Sequence, residues 1–248
     1  MHVLYRISSN SYEKKRLSFA TKEYCLSNFI ENVLTSSDNM TIIADCVDNE
    51  LKQTIDNYEN SNVEIFHEEL GSNGASFRFQ IDFATNLPDE EIVLFQEDDY
   101  LYKPSGWPYQ TCTTYHELTR EALSFAHYVS FYDHPDKYIS PKFGGNKFIT
   151  YHGVENTGIF RTRNSHWKYT NSTTCTFATT AGVIKQDQKF WKLFCSGNHP
   201  NDFQSFLALG SRGRTLATSL PGKATHTEIP WISPFFEQDL SLEGHMSS

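Results

Sequence analysis

Through the first part of the chain, short apolar runs alternate with stretches whose apolar positions recur at helical spacing. Val3–Ile7 is an apolar-rich run of the kind that a parallel strand buried on both faces requires. Polar residues follow, and Lys22–Leu34 then carries Leu26, Phe29, Ile30 and Val33 on one helical stripe. Met40–Ala44 predicts a second strand closed by Asp45, and Val63–Phe66 a third. The glycine-bearing loop Gly71-Ser-Asn-Gly74 leads into a predicted helix at Phe77–Ala84. Ile92–Phe95 is the fourth strand, and it runs directly into Gln96-Glu97-Asp98-Asp99.

This order is that of βαβ units, which cross over right-handed and build a mostly parallel sheet. Ligands of such sheets bind beyond the carboxyl ends of the strands. The polar sets Arg6–Ser9, Asp45–Asp48 and Glu97–Asp99 all fall there. The second half is less regular. It predicts helices at His116–Ala126, Val183–Phe194 and Asp202–Leu209. Strands are expected at Tyr128–Tyr132, Gly158–Arg161, His166–Tyr169 and Thr215–Ser219. With no internal repeat and no linker rich in proline or glycine, a chain of 248 residues is expected to be one α/β domain.

Composition narrows the partners. A formal net charge of −9 opposes non-specific nucleic-acid binding. It also means that a polyphosphate would need a divalent cation between it and the carboxylates. The five cysteines contain no CxxC pair and are expected to be buried free thiols of a reducing compartment. The amino terminus has no apolar core of a signal peptide, and no run approaches ~18 apolar residues. A cytoplasmic protein without a membrane span is the expectation.

Glu97-Asp98-Asp99 is the sharpest chemical feature. Three consecutive acids at a strand end repel one another unless something positive joins them, and a hard divalent cation would do so. An acidic turn facing water is the plain alternative. In VLFQEDDYLY this triplet resembles the "DxD" signature of the GT-A glycosyltransferases. Companions of that family's pattern follow in order: YRIS closing the first strand, IIADCVD closing the second, GSNGASFRFQ leading into a helix, and KATHTEIPW late in the chain.

The resemblance implies a GT-A-like domain over residues 1–240, with a mostly parallel central sheet and helices on both faces. Residues 241–248 are expected to form a disordered tail. It further implies that Asp99 and His226 bind Mn2+ or Mg2+, and that Arg6, Ser8, Asp45, Arg78, Glu97 and Asp98 contact a nucleotide-sugar donor. The family's general base commonly opens a late helix; Asp202, in SGNHPND, matches, with His199 as runner-up. The implied activity is a hexosyl- or deoxyhexosyltransferase acting from a UDP-sugar on a glycan or other hydroxyl acceptor, with inversion. The chain is also similar to the compact enzymes of large algal DNA viruses, which would place it in the host cytoplasm.

Plainer roles stand beside these. Arg6 serves equally as an ion-pair partner, Asp45 as a helix cap, Arg78 as a solvated residue, and Asp202 as an acid beside a helix start. Aromatic and polar residues for the acceptor are sought in Tyr132–Asp136, Trp167, Trp231 and His166–Thr174, where core packing is the competing role. A nucleotidyltransferase of sugar phosphates is the first rival; the stretch after the first strand, Ser8-Ser-Asn-Ser-Tyr, lacks its glycine. A non-catalytic carbohydrate-binding protein is the second. No GxxxxGK[ST] or GxSxG motif occurs.

Overall fold

A computed structural model describes residues 1–9, 14–146 and 157–236. Four parallel strands form one half of its sheet: β1 (His2–Ile7), β2 (Asn39–Asp45), β3 (Val63–Glu68) and β4 (Ile92–Glu97). Their residues alternate between two cores, as the two-residue period of a strand demands. Val3, Tyr5 and Ile7 pack with helices α1 (Lys22–Val33) and α2 (Asn49–Asp56), whereas Leu4, Val93 and Phe95 pack with α3 (Asn73–Ala84).

A three-residue strand, β5 (Tyr100–Tyr102), follows the acids directly, and α4 (Tyr115–Leu123) joins the face of α1 and α2. The sheet then continues through β6 (Tyr128–Ser130), β7 (Ile159–Arg161), β8 (His166–Thr170), β9 (Phe177–Thr180) and β10 (Leu216–Leu220). The strand order is β3-β2-β1-β4-β9-β6-β10-β8-β7, nine strands among the described residues. β9 and β8 are antiparallel to their neighbours, while β6 and β10 return to parallel pairing. Helices α5 (Ala181–Phe194) and α6 (Asp202–Gly210) cover the face that α3 covers. The sheet thus has helices on both faces.

The predicted elements are present, with shifted ends; α2, β5, β9 and the late strand β11 (Ala224–His226) are additional. β11 pairs with β5, placing His226 opposite Tyr100. Trp167 and Tyr132, expected near an acceptor, are 0% and 1% exposed and belong to the core; Trp231 keeps partial exposure. The cysteines are free, but only Cys25, Cys175 and Cys195 are buried; Cys112 is exposed and Cys46 half-buried. No helix of the described residues is long and apolar enough to cross a membrane. The tail expected at 241–248 lies outside the described residues.

Candidate active site

A cleft of about 790 Å³ opens where β1, β2 and β4 end. It is lined by Arg6, Ser8, Asp45, Glu97, Asp98, Asp99, Asp202 and His226, so eight of the nine site residues expected from the sequence converge there. They span 220 positions of chain, from 6 to 226. Arg78 is the exception. Its guanidinium donates to the carbonyls of Cys195 and, at 3.3 Å, Gly197, holding the loop that precedes α6 instead of lining the cleft.

Each acid of the triplet meets a cation. Arg6, 6% exposed, donates to Glu97 Oε1 at 2.5 Å and to the Asn73 carbonyl at 3.2 Å. Lys22, in the first turn of α1, pairs with Asp98, whose Oδ2 also accepts the Ser8 amide at 3.0 Å. Arg16 Nη2 and His226 Nε2 both lie 3.2 Å from Asp99 Oδ2, while Asp99 Oδ1 is buried with no hydrogen-bond partner among the described residues. Burial raises the pKa of Asp99, but His226 and then Arg16 outweigh it and hold the carboxyl well below the usual range. Burial lowers that of His226, and Asp99 more than reverses it.

These partners come from backbone pairings. Leu17 donates to the Thr227 carbonyl at 3.1 Å, Ile229 to that of Lys15 at 2.9 Å, and Thr227 to that of Asp99 at 2.9 Å. The segment carrying Arg16 is thereby laid beside the one carrying His226, and both beside the acids. The amide of Glu228 donates to His226 Nδ1 at 3.0 Å, which directs the proton on Nε2 toward Asp99.

Asp45 is 3% exposed and its carboxylate is taken up within the protein. Oδ1 accepts the amides of Leu70 and Gly71 at 2.7 and 3.1 Å, and Oδ2 the Ser76 hydroxyl at 2.5 Å. It shapes the loop into α3 from β2. The helix cap nearby is Asp48, which accepts the Leu51 amide at 2.9 Å and starts α2.

Across the cleft, Asp202 is the first residue of α6, behind the N-cap Asn201. Its Oδ1 accepts the Phe203 amide at 2.7 Å. Burial pushes its pKa up to about 6 against the opposing pull of that amide and of Arg6. The loop that presents it touches α3 closely. Gly74 donates to the Asn198 carbonyl at 2.8 Å, and a Cβ on Gly74 would lie 2.0 Å from the Gly197 carbonyl oxygen. Glycine at 74 is therefore a packing requirement.

Two features escape the sequence reading. Lys14, Arg16 and Lys22 line the cleft, and the run Lys14-Lys15-Arg16 just after β1 in an acidic chain was the available signal. Cys175 also lines it, and nothing in its neighbourhood of threonines marks it out.

Among the described residues no three His, Cys, Asp or Glu side chains are gathered as a metal site. Asp99 nevertheless suits a hard cation, because its buried Oδ1 has no other partner among the described residues and its carboxyl stays ionised. His226 suits it as second ligand in its other neutral tautomer, with the proton on Nδ1 and the Glu228 amide bond given up; phosphate oxygens and water would complete the set.

No family model matches the chain, and no curated protein matches it by sequence. Its architecture is similar to that of GalNAc-T7, solved with UDP, GalNAc and Mn2+: TM-score 0.59 at 10% identity, over 91% of this chain and 43% of that one. It is also similar to S. aureus TarS, with a TM-score of 0.52 at 10% identity over 88% and 34% of the two chains. The chain spans less than half the length of either. At this identity the likeness is one of fold, and the fold is the GT-A-like one.

Proposed function

We propose that the chain is a metal-dependent glycosyltransferase that moves a sugar from a UDP-sugar to a hydroxyl of a glycan or related acceptor, with inversion. One observation carries this reading. A single cleft at the strand ends holds an ionised, cation-ready carboxylate in Asp99 and, on another wall, a carboxyl poised near neutrality in Asp202. Separating two carboxyl pKa values in this way equips one site for charge stabilisation and for proton transfer.

Asp99 and His226 would hold Mn2+ or Mg2+, which as a Lewis acid offsets the charge of a departing diphosphate. Arg6 fixes Glu97 and the start of α3, so the loop 70–73 and the Ser8 amide form a rigid border for the nucleotide. Asp202 takes the proton of the acceptor hydroxyl as that oxygen attacks the anomeric carbon, leaving the nucleoside diphosphate as product. A pKa of about 6 lets it be ionised at neutral pH and still accept a proton readily. The UDP and Mn2+ seen with GalNAc-T7 support the donor assignment by likeness of fold.

The cations after β1 give some weight to a second reading, a nucleotidyltransferase, because that chemistry also needs positive charge over a triphosphate. One experiment separates the two. Nucleotide release is followed for a panel of nucleotide sugars with Mn2+, and pyrophosphate release for sugar 1-phosphates with nucleoside triphosphates. Turnover of one UDP-sugar, lost on chelation, is the expected result. Pyrophosphate release alone would transfer the site to the second reading.

A further inference from the structure

Arg16 occupies an unusual position for a site that takes a metal ion. Its guanidinium sits 3.2 Å from the same Asp99 oxygen that faces His226, and its backbone segment is fastened to residues 227–229 by hydrogen bonds on both sides. Arg6 and Lys22 satisfy Glu97 and Asp98 in the same way, so the acid triplet is matched cation for cation before any ligand arrives. A free divalent cation approaching Asp99 therefore meets a fixed positive charge a few ångströms away and is repelled by it. A diphosphate changes that balance. It brings negative charge at least equal to what the metal adds, and its oxygens suit the planar fork of arginine better than a single carboxylate oxygen does.

We propose that Arg16 guards Asp99 against free metal and passes to the diphosphate when the nucleotide enters, so that metal and nucleotide bind as a coupled pair. This rests on the glycosyltransferase reading of the cleft and adds to it a residue and an order of events. With Arg16 on Asp99, metal alone is disfavoured; with Arg16 on phosphate, the carboxylate is released to the metal. Each ligand raises the other's affinity, and by the same factor. Lys22 differs from Arg16 in one respect. It pairs with Asp98, so its loss weakens phosphate binding without exposing Asp99.

The test is calorimetric titration of the wild type, Arg16→Gln, Arg16→Lys and Lys22→Gln, each checked for a cooperative melting transition. The probes are Mn2+ alone, UDP alone in EDTA, and UDP at saturating Mn2+. Arg16→Gln is expected to bind Mn2+ alone about tenfold more tightly, and UDP alone more weakly, than wild type. Arg16→Lys keeps the charge and the exclusion of Mn2+. Lys22→Gln weakens UDP alone and leaves Mn2+ alone unchanged. If the wild type couples Mn2+ and UDP but Arg16→Gln binds Mn2+ alone no more tightly, the guarding role of Arg16 is overturned while the functional reading stands. If the wild type binds UDP under no metal condition, the functional reading falls and this inference with it.

Discussion

The two ends of the cleft handle the same side chain in opposite ways. At the β4 end, His226 and Arg16 drive Asp99 to titrate well below the usual range, whereas burial keeps Glu97 above its ordinary value in spite of Arg6. At the α6 end, the burial of Asp202 outweighs the pull of the Phe203 amide, of Arg6, of its own amide and of Lys137, and its carboxyl rises to about 6. Chemistry is thus assigned by surroundings. Around Asp99 the cations outweigh burial; around Asp202 burial outweighs the cations.

Removing the proton acceptor gives the largest expected effect. Asp202→Asn should lower kcat by about 10³-fold, the range of a general base, while leaving donor and Mn2+ binding near wild type. Asp99→Asn should act at the other step, weakening Mn2+-dependent UDP binding by more than ~10²-fold. Equal losses of binding in both variants would erase the contrast between the two ends.

The loop that holds Asp202 offers a finer probe. Gly74→Ala drives a methyl group into the Gly197 carbonyl and should cost about 1–3 kcal/mol of stability, read by denaturant unfolding. Arg78→Met releases the Cys195 and Gly197 carbonyls and should lower kcat about tenfold with little change in donor affinity. A change in donor affinity alone would mean that Arg78 contacts the nucleotide after all.

The smallest effect is on stability. The raised pKa means that the folded chain binds the Asp202 proton more tightly than the unfolded chain does. Stability is therefore lost as pH rises from the ordinary carboxylate range to about 6, and the full cost of ionisation is present above that. Asp202→Asn should melt a few degrees higher than wild type at pH 8, and the difference should vanish near pH 4.

Legibility follows the same division. β1, β2 and β4 were readable because each is buried on both faces and reads as an apolar run, and because their polar ends meet at one edge; β3, at the sheet's edge, is readable from Val63, Ile65 and Phe66. β5 and β11 were not, since they pair with each other outside the main sheet and one follows the acids with no break in the sequence. Their pairing is nonetheless what brings His226 to Asp99. β9 enters the sheet antiparallel between β4 and β6, an arrangement that local periodicity does not encode. Seven chemistry-bearing residues of the cleft, among them Asp99 and Asp202, followed from strand ends and helix starts. The cations Arg16 and Lys22 did not, because their partners are set by tertiary pairing and not by their own neighbours in the chain.

The most direct test is the pH dependence of UDP-sugar turnover and of UDP–Mn2+ binding in parallel, in wild type and Asp202→Asn. The account predicts that wild-type kcat, taken at saturating donor and Mn2+, falls as pH drops through about 6, that UDP–Mn2+ binding weakens with falling pH alike in both proteins because His226 must shed a proton to take the metal, and that only the variant loses the kcat titration. Retention of the same titration in Asp202→Asn, at undiminished rate, would contradict it.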